Sequence, residues 1–220
     1  GLMEHDDVET FFHEFGHLIH DLFAGGHKWV GVGGTRTEQD FVEAPSQMVE
    51  EWTWDPATLR LFAKHYQTDE PIPVELVKQM RRASEFGKGL VVRIQMVYAK
   101  LSLSIYDRSP ADVNTDTVVK TLMEKYRPFP FVEGTHLQTS FSHLDGYSAI
   151  YYTYMWSLVI AKDMFSQFDK SNLESPVMAK RYREYVLAPG GSQPANKLVE
   201  SFLSRPFNFN AWQAWLEQGN

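Results

Sequence analysis

The chain has 220 residues, 43% hydrophobic and 22% charged, ordinary values for one or two globular domains able to bury a sizeable core. Lysines and arginines number 21 against 28 acids, a net charge of −7, which argues against nucleic acid or an anionic membrane as a partner. With no cysteine there is neither a disulfide framework nor a thiolate metal site, and the composition suits a cytoplasmic protein.

The first predicted helix covers residues 7 to 24. Val8, Phe11, Phe12, Phe15, Leu18, Ile19, Leu22 and Phe23 recur at helical spacing behind an Asp6/Glu9 capping pair, and Gly25-Gly26 supplies a stop. This apolar stripe is the expected packed side. The same helix carries, with its metal side opposite that stripe, His13-Glu14-Phe15-Gly16-His17, the His-Glu-x-x-His pattern of zinc peptidases. Histidines four apart project from one face, one turn above the other, so both imidazoles can grip one ion. Glu14 is then close enough to reach a water on that ion. Glycine inside a helix costs roughly 1 kcal/mol against alanine, so Gly16 is expected to meet a close neighbour.

Lys28 to Gly34 is a glycine-rich loop, either a flap over the site or a plain surface connection, with room for a short extended pair. Zinc in a hydrolytic site takes three protein ligands and keeps one position open. Asp40 and Glu43 read as a second capping pair, and Pro45 fits only near a helix start, which puts Glu43 in the first turn of a helix reaching Trp52. Glu43 is the candidate third ligand; the other use for it is its own cap. Asp55 caps a helix from Pro56 to about Tyr66, and residues 67 to 73 form a polar linker. A helix over 74 to 86 carries a solvated basic spot at Arg81 and Arg82. Residues 90 to 106 form a buried core helix, too interrupted by Arg93, Gln95 and Lys100 to cross a membrane.

A helix over 115 to 126 leads into an irregular stretch to residue 145, in which His136 is a polar loop residue. The next predicted helix covers 148 to 168. Tyr147, Tyr151 and Tyr154 fall at i, i+4 and i+7 as one stripe, with His143 just before them. Phenol and imidazole donors are what a tetrahedral oxyanion needs, although an aromatic core stripe would have the same spacing. Helices from Pro176 to Tyr185 and from 194 to 203, and a short one with Trp212 and Trp215, complete an all-α fold with at most a very small sheet.

The stretches FFHEFGHLIH, DFVEAPSQMVEEW, GYSAIYYTYMWS and LAPGGSQPANKLVESFLSRP, in that order, resemble the thimet oligopeptidase family of zinc metallopeptidases, which includes neurolysin, oligopeptidase A and peptidyl-dipeptidase. The resemblance implies one zinc ion per chain, held by His13, His17 and Glu43, with Glu14 as general base. It implies that His143, Tyr147 and Tyr154 steady the transition state, and that Tyr151 and Gly146 line the substrate. The implied activity is hydrolysis of short peptides, by an endopeptidase or dipeptidyl mode. Residues 1 to 220 correspond to the C-terminal catalytic domain of a longer, two-lobed enzyme, and Gly1 in place of an initiator methionine fits a fragment. The missing N-terminal half is then the expected partner, and any targeting signal lies upstream. The second reading is a zinc-binding helical fragment with little activity until that half, or a partner chain, completes it.

Overall fold

The computed structural model describes residues 1–218. Its helices are α1 (His5–Phe23), α2 (Ala44–Glu50), α3 (Pro56–Leu59), α4 (Val74–Glu85), α5 (Lys88–Tyr106), α6 (Thr115–Tyr126), α7 (His143–Gly146), α8 (Thr153–Phe165), α9 (Pro176–Tyr182), α10 (Ala195–Leu203) and α11 (Asn210–Glu217). Among the described residues, extended pairing is limited to an isolated antiparallel bridge between Lys64 and Pro71. The all-α expectation therefore holds. No helix among these residues is long and apolar enough to cross a membrane. The chain divides into two compact units, one of residues 1–86 with 157–220, the other of residues 87–156.

The core of the first unit gathers Phe41 and Met48, Met164 from α8, and Leu198 and Phe202 from α10. Asp163 is 1% exposed, yet both carboxylate oxygens are taken by Arg205 at 2.7 Å and the Asn208 N–H adds a contact at 2.9 Å. A forked pair of this kind is how a carboxylate survives inside a core.

Helix α1 docks by a side the periodicity did not indicate. Its buried residues are Gly16 and His20, whereas Phe11 is 59% and Leu22 66% exposed, and Phe15 and Leu18 are exposed with them. The reason lies at Gly16. A Cβ built there would stand 2.6 Å from the Ser46 Cα, so α1 and the start of α2 meet backbone to backbone. A close approach of this kind requires glycine, and it selects the histidine face for burial, leaving the apolar stripe open. The helix also begins earlier than expected. The Glu4 N–H donates to the Asp7 carboxylate at 3.0 Å, and Glu9, inside the helix, accepts from the Trp54 indole N–H at 2.9 Å.

Other local expectations change for identifiable reasons. Asp55 does cap α3, accepting from the Thr58 N–H at 2.8 Å, but α3 ends at Leu59 because the chain turns into the Lys64–Pro71 bridge. Arg81 is not a solvated charge: it pairs with Glu85 at 3.1 Å and Glu51 at 3.6 Å and lies over the Trp54 ring. The glycine-rich loop forms a 3-10 turn at Val30–Val32 instead of an extended pair. It is clasped by the segment 188–195. His27 Nε2 lies 3.0 Å from the Ala188 carbonyl, and the Ala195 N–H donates to Glu38 at 3.0 Å. A Cβ on Gly190 would come within 2.7 Å of the Val32 carbonyl oxygen, and one on Gly191 within 1.8 Å of that of Arg36.

In the second unit, α5 and α6 pack around Val97, Leu101, Val119 and Phe141. Asn114 caps α6 by accepting from the Thr117 N–H at 2.9 Å. The expected core helix over 90–106 is buried at Val97, Ala99, Leu101 and Ser102 but not at its start, where Leu90 and Val91 are exposed.

Candidate metal centre

Helix α1 places His13 and His17 one turn apart, their ring centroids 4.9 Å from each other. The turn over 40–43 carries Glu43 to the N-terminal end of α2, where its side chain makes no cap. It runs instead to the two imidazoles: Glu43 Oε2 lies 3.1 Å from His13 Nε2 and 3.2 Å from His17 Nε2. Ser46 Oγ sits 3.3 Å from the same oxygen. Glu43 is 1% exposed, while the two rings are 18% and 26% exposed, so the cluster has a sealed carboxylate floor and an open rim. Glu14 is exposed beside it.

The second nitrogen of His13 is also taken. Nδ1 lies 2.6 Å from Glu50 Oε1. An ionised carboxylate only accepts, so with no ion bound both ring nitrogens of His13 donate, Nδ1 to Glu50 and Nε2 to Glu43. Burial alone would push the His13 imidazole down, but its hydrogen bonds to Glu43 and Glu50 outweigh that and raise its pKa to about 10. A metal-free centre would thus hold a proton where three lone-pair donors meet. A divalent cation can replace that proton, and the nitrogen and oxygen donors suit zinc. One ligand atom from each of His13, His17 and Glu43 falls within 4.8 Å of the others, so the residues present fit a single ion.

Glu50 was not singled out in the sequence. The available signal was its position seven residues after Glu43, two turns along the same helical face.

One turn beyond His17, His20 is 0% exposed, and neither ring nitrogen meets a hydrogen-bond partner among the described residues. Burial, helped by the charge of His17 and opposed by Asp21, lowers its pKa to about 4. The unfolded chain, with a histidine pKa of about 6.5, then binds more protons than the fold as pH drops from there to about 4, so stability is lost in that window, by roughly 3 kcal/mol at its lower end. His20→Leu is expected to flatten this loss. Urea midpoints measured across the window should fall less steeply in the variant, and parallel falls would contradict the assignment.

The tyrosine stripe is not on one helix. Ser148, with φ +46°, interrupts the backbone, and α8 starts only at Thr153, after Tyr147 and Tyr151. The rings gather nonetheless. Tyr154 lies 5.3 Å from Tyr147, 4.9 Å from Tyr151 and 5.8 Å from His143 between centroids. Tyr151 is buried against Phe141, whereas His143 is exposed and Tyr147 and Tyr154 are half-buried. The turn is fixed by the Ser102 hydroxyl, which donates to the Ser148 carbonyl, and by the Tyr106 hydroxyl, which donates to that of Leu144. Gly146, at the end of α7, is exposed, with no atom within 4 Å of an added Cβ.

Two imidazoles and a carboxylate, on a His-Glu-x-x-His helix and the start of the next, are a centre of the kind metallopeptidases build. The chain belongs to Peptidase family M3, which it matches over residues 1–217. It is 36% identical over 210 residues to the thimet-like oligopeptidase of Dictyostelium discoideum, covering 93% of this chain and 31% of that protein. It is 32% identical over 198 residues to the mitochondrial intermediate peptidase of Homo sapiens, covering 90% and 28%. To the dipeptidyl carboxypeptidase of Escherichia coli (strain K12) it is 34% identical over 206 residues, covering 91% and 30%. The chain thus spans under a third of the length of these relatives.

Proposed function

We propose that residues 1–220 are the metal-bearing catalytic part of a zinc peptidase that hydrolyses short oligopeptides. The observation that carries this reading is the convergence of His13 Nε2 and His17 Nε2 on Glu43 Oε2 at 3.1 and 3.2 Å. His13, His17 and Glu43 would hold a zinc ion, which would supply Lewis acidity toward the scissile carbonyl and would lower the pKa of a water toward ~7. Glu14, exposed next to His13, takes a proton from the attacking water as the water oxygen bonds to the carbonyl carbon. It then returns the proton to the amine nitrogen as the C–N bond breaks. His13, His17 and Glu43 stay in place throughout, fixed by α1 and α2. Tyr154, with Tyr147 or His143, donates a hydrogen bond to the oxyanion, and Tyr151 and Gly146 contribute to the substrate-lining wall. Tyr154→Phe is expected to lower kcat by about 2.7–4 kcal/mol of barrier with zinc content unchanged; an unchanged kcat would remove the residue from this role.

Full turnover needs more polypeptide than this chain supplies. That part of the reading is supported by the length of the relatives and by the open apolar side of α1, where Phe11, Phe15, Leu18 and Leu22 face solvent. Contiguous apolar surface of this kind marks an interface. The segment proposed to cover it corresponds to the remaining part of the longer relatives, either on the same chain or as a separate partner. Without it a peptide is poorly positioned, which alone costs orders of magnitude in rate.

The test joins metal analysis to a quenched-fluorescent peptide assay. About one zinc per chain is expected, with cleavage abolished by chelator, restored by zinc and raised by adding the missing part. A chain that takes up no metal would overturn the reading.

A further inference from the structure

Resting on the metal site proposed above, we infer that Glu50 is the positioning residue of that centre: it holds His13 in the one tautomer and ring orientation that aims Nε2 at the ion. Glu43 and Glu50 sit at opposite ends of α2, seven residues apart and on one face. The His13 ring lies between them, with Nε2 3.1 Å from Glu43 and Nδ1 2.6 Å from Glu50. The ring also separates Glu50 from the donor cluster, so Glu50 does not belong to the ligand set, which consists of His13, His17 and Glu43. Its short contact fixes the hydrogen on Nδ1 and leaves the Nε2 lone pair free to bind.

The two histidine ligands are not equally supported. Among the described residues, no carboxylate or carbonyl takes the second nitrogen of His17. Orientation of the pair therefore falls on Glu50, which is itself anchored. Its carbonyl accepts from the Thr53 hydroxyl at 2.7 Å, and its helix is pressed against α1 at Gly16. Glu50 is 26% exposed at its side chain, so it can be removed without opening a sealed core.

The experiment measures zinc affinity by chelator competition, and histidine tautomers by nitrogen-15 NMR, on the whole chain. Wild type, Glu50→Gln, Glu50→Ala and the surface control Glu75→Gln are compared. Loss of an outer partner typically weakens metal binding about 10- to 100-fold. Glu50→Ala is expected to fall in that range, and Glu50→Gln, whose amide oxygen can still accept from Nδ1, to fall between it and wild type. The zinc-loaded wild type should show His13 protonated at Nδ1 with the shift of a strongly hydrogen-bonded N–H, and the zinc-loaded alanine variant should lose that hydrogen-bond shift. Thermal midpoints of the metal-free proteins report any general loss of fold. Equal zinc affinity in wild type and Glu50→Ala would overturn the role of Glu50 alone, as would a drop fully accounted for by a lower metal-free midpoint. A wild type that binds no zinc would instead overturn the metal site itself.

Discussion

Gly16→Ala is expected to weaken zinc binding sharply while leaving all three candidate ligands in the sequence. The added methyl would stand 2.6 Å from the Ser46 Cα and 3.3 Å from two carbonyl oxygens, all backbone atoms that cannot swing aside. Overpacking of this kind typically costs about 1–3 kcal/mol, more than the roughly 1 kcal/mol that alanine returns as a better helix former. Relief comes by pushing α2 away from α1, and Glu43 moves with α2. Ligands on separate helices must meet within tenths of an ångström, so zinc affinity should fall by at least the roughly 10- to 100-fold lost when ligand support is removed. Chelator competition and thermal denaturation measure both effects. Gly89→Ala is the control, because nothing lies within 4 Å of its added methyl. Wild-type zinc affinity in Gly16→Ala would mean that the helix contact does not set the site.

Glu14→Gln should leave zinc content unchanged and lower kcat by about 10²- to 10⁴-fold, the range for loss of a general acid–base group. The amide fills the same volume on an exposed position of α1, so no packing is lost. What is lost is a group able to hold a proton between the attacking water and the departing amine. Single-turnover cleavage by the completed enzyme, measured beside zinc analysis of the same sample, separates the two. Full activity with full zinc would assign the proton transfer to another residue.

Much of the candidate centre was legible because helical spacing is a strong constraint. His13 and His17 had to share a face, and Pro45 had to sit near a helix start, which brought Glu43 to the end of α2. Which face of α1 would be buried was not legible in the same way. The apolar stripe is real, but its periodicity does not say what covers it, and a glycine contact with Ser46 turned the helix toward its polar side. The tyrosine stripe was read as continuous helix because neither proline nor a glycine pair interrupts it after Gly146. The interruption comes from Ser148 in a left-handed conformation, held by the Ser102 hydroxyl 46 residues upstream, a tertiary contact without local trace. Glu50 carries no comparable mark in the sequence, because a glutamate on a helix is usually just solvated.

The clasp formed by residues 188–195 has a bearing on how the donor set survives damage. Every candidate ligand atom comes from the first fifth of the sequence, yet the connection between the histidines and Glu43 is pinned by a distant stretch of chain, through Ala188, Gly190, Gly191 and Ala195. A proteolytic nick in α9 would therefore spare all the coordinating groups and still slacken the tether that delivers the carboxylate. Ion retention after limited digestion would consequently track the integrity of the distal tail more closely than that of the histidine helix.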